Sequence, residues 1–105
     1  MTDRTAHFSV GEVILHKRHG YRGVIIDVDA TFALSEDWYE QVARSRPPKD
    51  KPWYHVLVDQ AGQQTYVAER HLESDPEPAQ VDHPDLGAHF NEYRNGRYVL
   101  RRSVN

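Results

Sequence analysis

Two pairs of short apolar runs, each pair joined by a connection that contains glycine, restrict this chain to antiparallel β structure. The first pair is residues 8–16 and 23–29, with Gly20 and Gly23 at the connection. The second pair is residues 53–59 and 64–69, joined by QAGQ. Short runs with such connections are typical of β-hairpins. The sequence therefore predicts four strands in two hairpins.

Side-chain alternation predicts which residues of the first hairpin share a face of the sheet. In the first run, Val13 and Leu15 lie on one face, and Glu12, Ile14 and His16 on the other. In the second run the two faces are Val24, Ile26 and Val28, and Ile25, Asp27 and Asp29. The two aspartates share a face, so a pair of catalytic carboxylates is conceivable. A solvent-facing strand end is the better interpretation.

Residues 30–52 are predicted to form an insert with one short helix. Ser35 can cap the helix N-terminus, and the helix cannot continue past Pro47. Trp38 and Val42, four residues apart, would give the helix one apolar stripe. After the second hairpin, RHLE is predicted to add one helical turn that packs Leu72.

The C-terminal third begins with an acidic, proline-containing linker at residues 74–85. Residues 73–85 contain five acids and no base, so the rest of the chain has 13 bases against 16 − 5 = 11 acids. Residues 86–105 carry an Asn95-Gly96 hairpin signal, although a short helix over residues 86–93 competes with it. With 105 residues, we expect a single domain over residues 1–105 whose core is residues 8–73.

Composition excludes several classes of protein. The chain has no cysteine, which removes disulfides, thiol nucleophiles and cysteine-type zinc sites. The N-terminus lacks the features of a secretory signal, and no apolar run approaches the roughly 20 residues of a spanning helix. We therefore expect a cytoplasmic protein that makes no membrane contact.

Catalytic and metal motifs are weak throughout the sequence. Seven histidines are present, and His16, His19, His83 and His89 could in principle supply zinc ligands. However, there is no HExxH motif, no serine lies in a nucleophile elbow, and GYRG is too short to cradle phosphates. We expect a protein that is not an enzyme and that has no metal site and no cofactor.

Basic residues gather at the first hairpin connection. Lys17, Arg18 and Arg22 lie there with His19 and Tyr21 beside them. Cations next to a glycine turn, where backbone N–H groups are also free, can bind phosphate. Equally, such charges can serve only to keep a loop solvated and to prevent edge pairing. Three cations predict few phosphate contacts, and hence weak, salt-sensitive binding.

Aromatic residues in the second hairpin form a second candidate site. Alternation places Trp53 and His55 on one face of their strand, and Tyr66 lies on the partner strand. Most such aromatics belong to a core. In a barrel this small, an aromatic left at the rim can receive a base, a peptide or a subunit.

Two blocks of the sequence resemble a known family. HKRHGYRGVIIDVD, followed by PWYHVLVDQAGQQTYVAERHL, is similar to the signature of the YccV/HspQ family, the hemimethylated DNA-binding domain. The resemblance covers about residues 8–72, with an insert containing LSEDWYEQ between the blocks. It implies a mainly β fold, a small SH3-like antiparallel barrel of about five strands with one short helical insert. The ending, HPDLGAHFNEYRNGRYVL, resembles the domain as it is built into larger eukaryotic proteins.

The resemblance also implies partners. The family associates with DNA methylated on one strand, and its heat-shock members, such as HspQ, oligomerise and serve the Lon protease as substrate or specificity factor in the stress response. Our first hypothesis is a DNA-binding module that uses the basic turn. The second is an adaptor that offers a strand edge or aromatic rim to Lon or its substrates, with the acidic segment as an accessible tether. A third is a KOW- or CarD-like barrel serving ribosome or polymerase.

Overall fold

The computed structural model describes residues 5–101, which form seven strands, two short helices and one 3-10 turn. The elements in chain order are β1 (Val13–His16), β2 (Arg22–Asp29), α1 (Glu36–Val42), β3 (Trp53–Val58), β4 (Gln64–Ala68), the 3-10 turn (Glu69–His71), β5 (Leu72–Ser74), α2 (Leu86–His89), β6 (Phe90–Arg94) and β7 (Arg97–Leu100). Within this described part, no helix has the length and apolar character that a bilayer crossing requires.

Five strands form one antiparallel sheet in the order β4-β3-β2-β1-β5. The predicted mainly β class, with about five sheet strands and a short helical insert, is confirmed. Hydrogen bonds do not close the sheet into a barrel, because the 3-10 turn carries the chain from edge strand β4 to edge strand β5 without pairing them. The first predicted run becomes a strand only at Val13, and RHLE gives the predicted turn with Leu72 buried.

Apolar side chains cover both faces of the sheet. Val13 and Val24 pack in a cluster with Phe90 from the C-terminal hairpin. Ile14 and Ile25, which alternation placed opposite them, pack in a second cluster on the other face. The C-terminal segment folds back over the face that carries Val13 and Val24, so both faces of the sheet are buried. Strands buried on both faces lack simple alternation of apolar and polar residues.

The C-terminal segment contains both structures that the sequence left as alternatives. The helix α2 ends at His89 and leads directly into the β6–β7 hairpin, which turns at Asn95 and Gly96. Both turn residues have positive φ, 52° and 82°, as a two-residue hairpin of this kind requires.

The predicted acidic linker is exposed at residues 76–80, but it is bound along the domain and is not a free tether. We call residues 75–82 the strap, because they are bound along the body of the domain. The Tyr93 hydroxyl donates a hydrogen bond to the Pro78 carbonyl (2.7 Å), and the Val81 N–H donates to the Tyr98 hydroxyl (2.8 Å). Val81 itself is 4% exposed. Burial of this one apolar side chain and the hydrogen bonds on either side of it hold the strap down.

The insert forms the predicted helix with a different buried face. Ser35 caps α1, and its side chain accepts a hydrogen bond from the Trp38 N–H (3.1 Å). The helix ends at Val42, which is 56% exposed, whereas Tyr39 and Ala43 are buried. The predicted stripe of Trp38 and Val42 is therefore wrong by one position, because Tyr39 donates its hydroxyl to the Pro47 carbonyl and packs near Trp53.

Candidate functional site

A groove with a volume of about 740 Å³ lies between the first hairpin connection, strand β4 and the helical insert. It brings together most of the two residue sets that the sequence singled out. Arg18, His19 and Tyr21 come from the connection, which we call the basic turn (residues 16–21). The predicted aromatics Trp53, His55 and Tyr66 line the same groove.

Hydrogen bonds to His16 organise the basic turn. The His16 Nδ1 atom accepts hydrogen bonds from the backbone N–H groups of Arg18 (3.2 Å) and His19 (3.0 Å). The Gly20 N–H closes the turn on the His16 carbonyl (2.8 Å), and Gly20 has a φ of 73°, which glycine adopts readily. Since both N–H groups point to an acceptor nitrogen, His16 is neutral with its proton on Nε2.

Three histidine rings meet at this end of the groove. The His16 ring stacks on His71 with centroids 5.6 Å apart, and its centroid lies 4.5 Å from that of His19. Burial, and then the charges of His19, His71 and Arg18, lower the pKa of His16 to about 4. Burial also lowers the pKa of His71, followed by the charges of nearby cations. At neutral pH, these two rings are uncharged.

Arginine and lysine side chains therefore supply the positive charge. Lys17, Arg18 and Arg70 lie close enough to His71 for their charges to lower its pKa. Arg44, from the insert, lines the groove with Arg18, and all four cationic side chains belong to exposed residues. Among residues 5–101, the groove lining includes no acidic side chain. A protein with a net charge of −3 thus presents a locally cationic surface.

Arg22, the third cation of the predicted site, does not line the groove. Its Nε–H donates to Asp75 (2.8 Å), its Nη1 group donates to Asp59 (3.1 Å), and its Nη2 group donates to the Ala79 carbonyl (2.7 Å). The side chain is only 25% exposed. These bonds hold the Arg22 side chain, at the start of β2, against Asp59 and the strap, where it has a structural role.

The aromatic side of the groove is built around Tyr66. Tyr66 stacks on Trp53 with centroids 5.1 Å apart, and Trp53 is only 1% exposed, so Trp53 belongs to the floor rather than the rim. His55 and Trp38 flank Tyr66 at 4.6 and 5.6 Å. The Tyr66 hydroxyl donates to Asp29 (2.7 Å) and accepts from the Ala33 N–H (3.0 Å). Tyr66 thereby ties the sheet to the insert that forms the other wall.

One cluster could hold a metal ion. A ligand atom from each of Asp27, Asp29 and His55 lies within 4.8 Å of the others. Asp29 is already hydrogen-bonded by His55 (3.1 Å) and Tyr66 (2.7 Å), so these contacts account for its position. Of the histidines considered as zinc ligands, His16 and His19 lie together, but His83 does not join them: it bonds to the Gln63 carbonyl and the Asp85 N–H.

Sequence reasoning did not assign several groove residues to a site, among them Trp38, Arg44 and His71. Trp38 was placed on the wrong helix stripe, and the other two lie in segments that approach the basic turn only in the folded chain.

The chain is similar to a known family and to several known proteins. A family profile described as "Hemimethylated DNA-binding protein YccV like" matches residues 6–97. The chain is 35% identical to F-box only protein 21 of Mus musculus and 34% identical to that of Homo sapiens, in each case over 98 residues and 91% of the chain. These matches span 16% and 15% of the relatives' own lengths. Such long relatives agree with the resemblance of the C-terminal segment to domains built into larger eukaryotic proteins.

Proposed function

Because the chain belongs to the YccV-like family of hemimethylated DNA-binding proteins, we propose that it is a non-enzymatic module that binds DNA methylated on one strand. The contact surface is the basic turn together with the cationic end of the groove. The observation that carries this assignment is the placement of Arg18 and Arg44 in a groove that has no acidic lining residue. Phosphate binding requires such a local surface when the whole protein is acidic.

Lys17, Arg18 and Arg44 are the side chains that contact phosphates in this proposal. All three residues are exposed, and the hydrogen bonds to His16 fix the backbone that carries the first two. Three such contacts give weak binding with a modest salt dependence. Arg22 is not part of the contact, because its donors are directed to Asp59, Asp75 and Ala79.

Fluorescence anisotropy with labelled duplexes tests the proposal. One sequence is used in hemimethylated, fully methylated and unmethylated form, each at several salt concentrations. We expect the hemimethylated duplex to bind more tightly than the other two, and the preference to persist at moderate salt. Equal affinities that vanish together with salt would show a generic cationic surface and would contradict the proposal.

An adaptor role toward the Lon protease is the second candidate. One structural feature favours a protein partner: β4 is an edge strand of the sheet, and its five residues line the groove. Exposed strand edges are common docking sites for polypeptides, including second copies of the same chain. In a reconstituted assay, the adaptor role predicts faster Lon turnover of a substrate when this protein is added. Unchanged turnover would exclude it.

A further inference from the structure

We propose that the groove binds an extended, acidic polypeptide segment, which adds to the free edge of β4 as a sixth strand of the sheet. This inference goes beyond the DNA-binding proposal and does not depend on it. It specifies the chemistry of a protein ligand: backbone N–H and C=O groups in register with β4, carboxylates among the side chains, and apolar side chains between them.

The hydrogen-bond pattern of the β3–β4 pair identifies which groups are free. The Val58 N–H donates to the Gln63 carbonyl (2.9 Å), and the Glu69 N–H donates to the Pro52 carbonyl (3.1 Å). These two bonds lie at opposite ends of the β3–β4 pairing, which runs between them without a register shift. Bonded and non-bonded residue pairs alternate along an antiparallel ladder. Thr65 and Val67 therefore direct their backbone groups to β3.

The intervening residues, Gln64, Tyr66 and Ala68, direct their N–H and C=O groups away from the sheet. Within residues 5–101, no backbone or side-chain group bonds to these outward groups. Ala68 is only 3% exposed and packs with Tyr39 and Ala43 of the insert, so an added strand cannot reach its outward groups. The accessible edge is residues 64–67, roughly 14 Å long. It provides two residues, Gln64 and Tyr66, at which an added strand can exchange pairs of hydrogen bonds.

The walls of the groove suit the side chains of such a strand. Leu34 and Val42, from the insert, are 40% and 56% exposed and line the groove with Trp38. Exposed apolar side chains beside an open strand edge favour apolar side chains on the ligand. On the polar side, Arg18 and Arg44 have no acidic counterpart in the lining. Carboxylates on the ligand complement this charge, whereas lysines are repelled.

Amide hydrogen exchange measured by NMR gives a residue-level test. The probe is the blocked peptide Ac-EVEVEVE-NH2, added to the full chain at up to millimolar concentration. We expect exchange at the Gln64 and Tyr66 amides to slow at least tenfold at saturation, because these amides become bonded. The amides of Thr65 and Val67, which already bond to β3, change much less. No protection, or protection that ignores this alternation, would overturn the inference.

Two control peptides separate strand addition from charge attraction. The same peptide with N-methylated valines loses backbone donors and keeps its charges, and Ac-KVKVKVK-NH2 keeps the donors and reverses the charges. We expect both to protect the Gln64 and Tyr66 amides at least tenfold less. Equal protection by the N-methylated peptide would overturn the inference. So would protection by a single-stranded oligonucleotide in place of the acidic peptide, because the groove would then be a stacking site for bases.

The substitution Gln64→Pro tests the edge itself. Proline is tolerated at the first residue of an edge strand, and it removes the outward N–H at this position. We expect Q64P to bind the acidic peptide at least threefold more weakly than the matched Q64A variant. Duplex affinity is expected to be the same in both variants, since neither removes a cation. Equal peptide binding by Q64P and Q64A would contradict the inference, while leaving the DNA proposal untouched.

Discussion

Arg22 donates its Nε–H to Asp75 across 2.8 Å, and this contact joins strand β2 to the strap. Burial alone would raise the pKa of Asp75, but the hydrogen bond and the charge of Arg22 hold it below its ordinary value. An arginine with a carboxylate partner and carbonyl acceptors is a structural element. Arg22 therefore has a structural role, although it lies only four positions after Arg18 in sequence.

Replacing Arg22 by alanine should destabilise the fold by about 2 kcal/mol, because Asp59 and Asp75 lose their cation while they are only 13% and 8% exposed. Urea denaturation measures the change in the free energy of unfolding. Lys17→Ala, at an exposed residue, is the control and should change it by less than about 0.5 kcal/mol. Reduced duplex affinity in a folded R22A protein would contradict a purely structural role for Arg22.

Acidification should unfold the domain partly through His16. Its pKa in the fold is about 4, below its ordinary value of 6.5, so the unfolded chain takes up the proton first. Stability from this group is complete above about pH 6.5 and falls as the pH drops toward 4, by up to about 3 kcal/mol. His71, whose pKa is also lowered, contributes with the same sign.

Denaturation at a series of pH values measures this loss. His16→Asn can keep an acceptor for the turn and removes the titrating ring. The variant should show a flatter stability profile between pH 6.5 and 4. An unchanged profile would mean that His16 takes up its proton as readily in the folded protein as in the unfolded chain, and would contradict its lowered pKa.

The two glycines of the first hairpin should respond differently to alanine. Gly20→Ala places a side chain at a φ of 73° in open space and should cost about 1 kcal/mol. In Gly23→Ala, the new Cβ would lie 2.6 Å from the Leu57 carbonyl oxygen and 2.5 Å from a Val56 methyl group, so the cost should be about 3 kcal/mol or more. Thermal unfolding of both variants gives the order, and a greater loss for G20A would contradict this packing.

Tyr66→Phe should loosen the groove without removing its stacking. The substitution deletes the hydroxyl that bonds to Asp29 and to the Ala33 N–H, and it should lower the free energy of unfolding by about 1 kcal/mol. Amide exchange in the insert should accelerate more than exchange in β1. Equal acceleration in both would show that Tyr66 does not anchor the insert.

Local chemistry predicted much of the fold from the sequence. Ser35 caps α1, and glycine-containing connections form both sheet hairpins, because capping and tight turns depend on neighbouring residues. The buried face of α1 could not be read from Trp38 and Val42. In a helix of seven residues, the stripe that begins at Trp38 and the stripe that begins at Tyr39 are offset by a single position. The contacts of Tyr39 with Trp53 and with the Pro47 carbonyl determine which stripe is buried.

The part of the candidate site that is local in sequence was predicted, and the part that depends on distant residues was not. Lys17, Arg18, His19 and Tyr21 are adjacent in sequence, so their grouping was visible. The contact between Arg22 and Asp75 joins residues 53 positions apart and could not be inferred from local pattern. The β-bulge between Ile25 and Asp27 likewise places Val28 with Ile25, against strict alternation. Both depend on tertiary packing, which no local spacing encodes.

The salt dependence of duplex binding tests the central claim most directly. Affinity for the hemimethylated duplex is measured at several salt concentrations for the wild type, for K17A/R18A/R44A, and for R94A/R97A/R101A, which removes the same charge from the C-terminal hairpin. The slope of log affinity against log salt should fall by about 0.9 for each removed cation that contacts a phosphate. We predict that the groove variant loses slope and affinity while the hairpin variant keeps both. Equal losses in the two variants would contradict a DNA site at the basic turn.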